Sequence, residues 1–387
     1  MKKVLGFKDF EILDSIRGIA SLFVTIAHCR GTLWMGGGEF LKMFPRETWT
    51  AGDYVIFGIS MLTRLSVEFV IVFFVLSGFS IAHSLSSNTS VKQFYLRRLI
   101  RIYPSYLVAL IWAGLIFALT RNWFPEWYDG SRTKFAFERT VPMNTFFEPT
   151  VILRNIFYMT DEQGMIAPFW SLTYEVIFYI LAPFLFRKVN LYILASVVLF
   201  LVNVFFQDFV LSLGIPKYFY KFLFVYNIYF SIGVGLYNYF ETIKAAFEKV
   251  SKRSLLLFII IAVVLTYGAN IYFQVGTIYS FGAAALLGAL LIIFFLKYQV
   301  QIPWLINIGK FSYTLYIVHY PTIFLYLAFY HLIFNPDTIY IVNYFVWMPA
   351  VFFCLGAAYL QYLLVESKTK HILNRLRHKR TSKISVA

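Results

Sequence analysis

The feature that most constrains this chain is a series of apolar runs, each about 20 residues long, recurring from end to end with few charges inside them. Runs of that length match the hydrocarbon thickness of a bilayer. In lipid every backbone N–H and C=O needs a partner within the protein, which leaves helices or closed barrels. The runs are continuous and show no alternation of period two, so they read as helices rather than barrel strands. Composition agrees. Hydrophobic residues make up 60% of the 387 and charged residues 14%, against roughly 45–50% and about 25% in soluble domains. The mean hydropathy is +0.69. A soluble fold has too little interior to hide that much apolar surface.

Helical spans are expected at roughly 13–33, 65–86, 102–120, 168–186, 190–207, 221–240, 255–273, 277–296, 312–333 and 340–364. The first is weak by hydropathy, because it holds Asp14, Arg17, His28 and Arg30. The expected fold is therefore all-α, a polytopic membrane protein with about ten transmembrane helices. Residues 1–366 form one transmembrane domain, and a basic cytoplasmic tail covers 367–387. No internal repeat, low-complexity linker or soluble domain is read.

The net charge is +15. In a soluble protein that would suggest nucleic acid; here the basic residues sit in short loops and tails, where they set topology and attract anionic headgroups. On one side lie Lys2, Lys3, Lys8, the 92–101 loop, Arg187, Lys188, residues 244–253, Lys297, Lys310 and the C-terminal tail, about two thirds of all positive residues. That side is expected to be cytoplasmic, and an even helix number puts both termini there. The start lacks a signal-peptide core and a small-residue cleavage site, so the first helix is expected to be retained. Cys29 and Cys354 form no disulfide framework and read as small buried apolar residues. No metal-ligand spacing is present.

The longest outer segment, about 121–167, carries Trp123, Phe124, Trp127, Tyr128, Phe135, Phe146 and Phe147. It reads either as an interfacial aromatic belt or a helix lying on the membrane, or as a platform that stacks on a sugar or lipid acceptor.

Ionisable side chains at membrane depth cost at least ~2.5–3.5 kcal/mol on insertion scales, so each marks a candidate site. Asp14 and Arg17 are three apart and share a helix face. Arg17 and His28 are eleven apart, about three full turns, so they share a face separated by about 16 Å. His28 lies about sixteen residues into the span, ~24 Å by helical rise, which places it near the outer face. Glu175 sits in the fourth span, Glu68 near the outer start of the second, and His319 inside the ninth. Each also has a plainer reading, as an ion pair or a hydrogen-bonded packing residue. Arg97-Arg98-Leu99-Ile100-Arg101-Ile102-Tyr103-Pro104 lies at the inner mouth of the third span. Arg98 and Arg101 project on one side, as a forked phosphate cradle or as an ordinary positive-inside anchor.

Several motifs fall in order. The first span reads Leu13-Asp14-Ser15-Ile16-Arg17-Gly18 and reaches His28 after an Arg-x10-His spacing. The second reads Phe73-Phe74-Val75-Leu76-Ser77-Gly78-Phe79. The third opens on the arginine cluster above. The fourth reads Trp170-Ser171-Leu172-x-x-Glu175, then Phe178-Tyr179 and Pro183. The ninth reads Gly309-Lys310-Phe311-Ser312-Tyr313-Thr314-Leu315-Tyr316-Ile317-Val318-His319. Together, over about residues 10–366, they resemble the acyltransferase 3 family of membrane acyltransferases. Family members often close the last helix with Glu followed shortly by Pro; here Glu366 is followed by Ser367-Lys368.

The resemblance implies an enzyme that moves an acyl group, commonly acetyl, from acyl-CoA to a hydroxyl of a cell-surface polysaccharide or lipid-linked glycan, in a bacterial inner membrane. Acyl-CoA is then a donor substrate, and no permanently bound cofactor or metal is expected. By that resemblance His28 is the expected catalytic residue, and Arg17, Arg98 and Arg101 are essential or donor-binding. With Arg97 flanking that cradle, the coenzyme's phosphates meet cations on the cytoplasmic side and its thioester reaches inward toward His28. An imidazole has the right ordinary pKa to accept a hydroxyl proton near neutral pH; a covalent acyl-histidine is the alternative. Asp14 pairs with Arg17, and Ser77, Glu175 and His319 line the path. Some members carry a fused esterase-like domain that this chain does not show, which leaves room for a separate extracytoplasmic transfer partner. The rival readings are the same chemistry on a lipid or small-molecule acceptor, or a transporter of glycans or metabolites.

Overall fold

The computed structural model describes residues 6–34, 37–86, 90–125, 147–160, 166–273, 276–334, 343–369 and 373. Among them there is no strand. The helices are α1 (Phe7–Leu33), α2 (Gly37–Met43), α3 (Ala51–Leu62), α4 (Ser66–Ser86), α5 (Val91–Trp123) and α6 (Pro149–Ile156). Next come α7 (Trp170–Leu185), α8 (Val189–Phe205), α9 (Gln207–Ser212), α10 (Lys217–Tyr220), α11 (Asn227–Asn238) and α12 (Phe240–Ala246). The chain closes with α13 (Lys252–Tyr272), α14 (Ile278–Lys297), α15 (Pro303–Lys310), α16 (Ser312–Phe334) and α17 (Trp347–Gln361).

Eight helical segments among the described residues are long and apolar enough to cross a membrane. Two differences separate this number from the expected ten or so. The segment Ala167–Phe205 counts once at 39 residues, but Lys188, at φ −134° and ψ 76°, breaks it between α7 and α8. The helix α1, 27 residues long, is not among the eight. The protein is an integral membrane protein of helices. Faces such as Leu257, Ile260, Ile261 and Val264 on α13 are exposed and apolar, as lipid contact requires. Most of the tail over 367–387 lies outside the described residues.

The chain forms two compact units. The first comprises Met1–Ala20, Val67–Tyr95 and Ser171–Lys310. Without a hydrophobic drive between helices in lipid, close packing holds it, and small residues permit that closeness. A Cβ on Gly78 would stand 2.0 Å from the Phe230 carbonyl oxygen, and one on Gly233 would stand 1.9 Å from that of Val75. The two glycines therefore let α4 and α11 cross backbone to backbone. Beside the crossing, the Phe230 ring is sandwiched between Phe74 at 4.5 Å and Phe178 at 4.4 Å.

The second unit comprises Ser21–Ser66, Leu96–Trp170 and Phe311–Ala387. Its buried polar groups tie α5, α16 and α17 together. Gln361 donates to the Ser105 carbonyl at 2.9 Å, Tyr313 donates its hydroxyl to the Ile102 carbonyl at 3.1 Å, and Trp112 reaches Thr322 at 3.3 Å. Of the segment expected outside, about 121–167, the described residues 147–160 pack against α5. The Tyr106 hydroxyl bonds the Asn155 carbonyl at 2.7 Å and the Tyr316 hydroxyl bonds that of Pro168 at 2.6 Å. Tyr106 lies only five residues, ~8 Å of rise, past Arg101, whereas the far end of α5 at Trp123 is 17 residues farther on. The end of α6 thus lies against the part of α5 nearer its basic end. The two tyrosine hydroxyls thus bond carbonyls at the end of α6 and in the 3-10 turn Ala167–Phe169. Of the aromatic platform, Trp127, Tyr128, Phe135 and Phe146 lie outside the described residues.

Candidate active site

In the first unit, the i, i+3 spacing on α1 makes the pair it promised. Arg17 Nη1 lies 2.6 Å from Asp14 Oδ1, the one ion pair among the described residues. Arg17 Nη2 also donates to Ser80 Oγ at 2.7 Å. One turn along α4, Ser77 Oγ donates to Glu175 Oε1 at 3.2 Å, and Tyr179 gives its hydroxyl to the same oxygen. Ser77 and Glu175, both read as path-lining candidates, are therefore direct partners. Two donors on one carboxylate oxygen, with the ion pair a turn away, make α4 the organiser of this polar patch. Glu68, buried on the same helix, accepts from Asn270 Nδ2 at 2.7 Å.

In the second unit, His28 Nδ1 lies 2.8 Å from His319 Nε2. The rings are nearly coplanar, 8° apart. His319 Nδ1 in turn lies 3.0 Å from the Leu315 carbonyl oxygen one helical turn back. A carbonyl only accepts, so the network assigns the His319 proton to Nδ1 and leaves its Nε2 as an acceptor. His28 must then donate from Nδ1, and its own Nε2 keeps a free lone pair. Leu315, His319 and His28 form a relay that holds one tautomer of a half-buried imidazole. This is the arrangement of a general base and the group that orients it.

Behind the relay, Cys29 Sγ lies 4.0 Å from Cys354 Sγ. Both are buried free thiols, as expected of small packing residues. The edge of Tyr320 faces His28 at 6.1 Å between ring centres.

The arginine cluster lies in the first third of α5, with Arg97, Arg98 and Arg101 half-buried. The helix is continuous there, so Arg98 and Arg101 do share a side. The α16 helix links this end to the histidines. Tyr313 touches Ile102, next to Arg101, and His319 is six residues on, ~9 Å of rise. The partner of His28 therefore lies about one and a half turns of α16 from the contact with Ile102. Depth within the second unit is set by α16, where His319 comes only seven residues after the helix begins.

Sequence reasoning missed three contributors. Tyr158 takes the left-handed φ of 57° and stacks on Tyr106 at 3.9 Å. The only local sign was an aromatic residue inside a presumed loop. Glu366, read as part of an incomplete closing motif, is buried at the end of a π-helical turn and accepts from Thr314 at 2.5 Å. The Ser–Lys that follows it does not disturb this contact. The third is the pairing of His28 with His319 itself, treated from sequence as two separate candidates. Among the described residues no three His, Cys, Asp or Glu side chains gather to hold a metal.

A family model described as an acyltransferase domain matches residues 10–370, across both units. The acyltransferase MdmB of Streptomyces mycarofaciens is 30% identical over 171 residues, 43% of this chain and 41% of that protein. The chain thus spans less than half the length of this curated relative. No solved structure matches the chain.

Proposed function

We propose that this chain, which belongs to the acyltransferase-domain family, moves an acyl group, in the first instance acetyl, from cytoplasmic acyl-CoA to a hydroxyl of a surface polysaccharide or lipid-linked glycan. The observation that carries the reading is the relay from Leu315 through His319 to His28, which leaves His28 Nε2 able to take a proton. In the reaction, the acceptor hydroxyl gives its proton to His28 Nε2 while its oxygen attacks the thioester carbonyl. The carbon–sulfur bond breaks and the thiolate leaves. The proton passes from His28 to that sulfur, so an ester and a free thiol result. A base positioned in this way supplies about 10²–10⁴-fold.

Arg98 and Arg101, with Arg97 beside them, hold the phosphates of coenzyme A at the basic end of α5. The ~9 Å of α16 between Tyr313 and His319 is then the interval that the donor's arm crosses. The Asp14–Arg17 pair and the Ser77–Glu175 contact hold the polar patch on α4 in register. Lys- and Arg-rich loops set the arginine side and both termini in the cytoplasm, in keeping with a bacterial inner membrane.

The test is alkali-released acetate from the host's cell-surface glycans. A deletion strain is compared with strains carrying wild-type or His28→Ala protein at matched membrane levels. Loss on deletion, restored by wild type alone, supports the reading. Full restoration by His28→Ala removes His28 from the chemistry. Unchanged acetate throughout removes the surface-glycan acceptor.

A further inference from the structure

In the first unit a cavity of about 220 Å³ lies among the ends of α4, α7 and α11 and the starts of α5 and α8. Its wall includes Ala82, Ser86, Val91, Pro183, Arg187 and Asn238. The local chain accounts for the opening. Pro183 removes one N–H from the last turn of α7, and Lys188 then breaks the helical run. The start of α5 is held against α7 by the Tyr95 hydroxyl, which donates to the Ile180 carbonyl at 2.6 Å. The polar part of the wall is fixed as well. Ser86 donates to the His83 carbonyl at 2.9 Å and its hydroxyl lies 2.7 Å from that of Tyr237. Asn238 gives one amide N–H to the Val234 carbonyl at 2.9 Å and keeps an oxygen that can accept.

We propose that this cavity binds the headgroup of an anionic glycerophospholipid from the surrounding bilayer, with the phosphate on Arg187 and the headgroup hydroxyls against Ser86 and Asn238. The inference concerns neither donor nor acceptor and stands apart from the acyl-transfer reading.

Size, charge and position choose that ligand. Sites that enclose a drug-sized ligand run to about 300–1,000 Å³, so the cavity has room for a headgroup and not for a whole coenzyme A. Arg187 is exposed at the wall, Lys188 follows it and Lys92 follows Val91, all three exposed. Basic side chains at a membrane surface draw anionic lipid, and a guanidinium suits phosphate. Ile180 and Phe184 on α7 and Leu191 and Leu194 on α8 are exposed and apolar, so the helices that carry the cavity also face lipid. The Arg187 guanidinium lies 5.6 Å from the centre of the Phe184 ring, which sets the cation where that apolar face ends. A soluble anion would use the arginine alone. A phospholipid uses both, its chains lying along Ile180 and Phe184.

The experiment measures lipid binding with no acyl donor present. Full-length protein in the uncharged detergent dodecyl maltoside is titrated with dioctanoyl phosphatidylglycerol or dioctanoyl phosphatidylcholine, and bound lipid is counted by native mass spectrometry. Phosphatidylglycerol is expected to bind about tenfold more tightly. Arg187→Gln, which removes the cation, and Val91→Trp, which fills the cavity from its wall, should each abolish that preference. Val91 is 41% exposed, so the larger ring displaces no packed core and this variant serves if Arg187→Gln fails to fold. Lys244→Gln, an equal loss of charge on α12 outside the cavity, should keep the preference. Glycerol 3-phosphate and coenzyme A, added as competitors, are expected not to displace the lipid. Equal affinity for the two lipids, or a preference that survives both Arg187→Gln and Val91→Trp, overturns the proposal. So does an equal loss in Lys244→Gln, which would mean diffuse attraction to a basic surface. Displacement by glycerol 3-phosphate at the lipid's own concentration would make this a site for a soluble phosphate and overturn its lipid component. Displacement by coenzyme A would assign the cavity to the donor and overturn the proposal outright.

Discussion

His28 and His319, 291 residues apart in the chain, share a 2.8 Å contact between Nδ1 of one ring and Nε2 of the other. The Leu315 carbonyl fixes the direction of that contact by accepting from His319 Nδ1. A neutral imidazole thus orients another, with no carboxylate in the relay.

The first prediction follows from which atom His319 uses. A glutamine can place its side-chain oxygen near the position of Nε2, whereas alanine leaves the His28 Nδ1–H without an acceptor. His319→Ala is expected to lower kcat by about 10²-fold or more with little change in KM for acyl-CoA. His319→Gln should recover most of that loss. Steady-state kinetics on protein in nanodiscs checks it, and equal defects in both variants would mean that His319 only packs.

The donor cradle predicts a different split. Replacing Arg98 or Arg101 by Gln is expected to raise KM for acyl-CoA about tenfold or more and to change kcat little, because phosphate contacts persist from ground state to transition state. The same variants should be indifferent when S-acetylpantetheine, which has no phosphates, is the donor. A matching loss with both donors would remove these arginines from phosphate binding.

Glycine positions test the packing. At Gly78 a methyl group would meet the Phe230 carbonyl at 2.0 Å, a backbone atom that cannot swing aside. Gly78→Ala and Gly233→Ala are each expected to destabilise the first unit by about 1–3 kcal/mol. Gly114, with nothing near its missing Cβ, should accept alanine without loss. Thermal unfolding followed by size-exclusion fluorescence in detergent distinguishes the three.

Around Glu175, charge and hydrogen bonding can be separated. Glu175→Gln retains an oxygen for the Ser77 and Tyr179 hydroxyls and should fold with near wild-type stability. Glu175→Ala strands both donors in a part-buried site, at about 1 kcal/mol each. If the glutamine variant proves as unstable as alanine, the negative charge itself holds α4 to α7.

At the end of the last helix, Thr314→Val removes the hydroxyl that Glu366 receives while preserving shape. A loss of about 1–3 kcal/mol in stability is expected, with the double substitution Thr314→Val, Glu366→Leu recovering part of it. Failure of the double variant to recover would locate the role of Glu366 elsewhere.

What the sequence by itself determined was everything carried by local period and by the solvent it implies. Continuous apolar runs required membrane helices, and the three-residue step from Asp14 to Arg17 required a shared face, hence the pair at 2.6 Å. Buried thiols at Cys29 and Cys354 followed from their apolar surroundings. Tertiary structure alone decided which distant helices meet. Nothing between residues 28 and 319 encodes that their rings touch, or that Ser77 caps Glu175, because those contacts depend on the angle at which whole helices cross. In the first unit those angles rest on the backbone approaches at Gly78 and Gly233 and on aromatic stacks such as Phe74, Phe230 and Phe178. The packing of residues 147–160 was hidden for the same reason. Their sequence reads as an outer segment, and only the hydroxyl of Tyr106, from another helix, ties the end of α6 to the bundle.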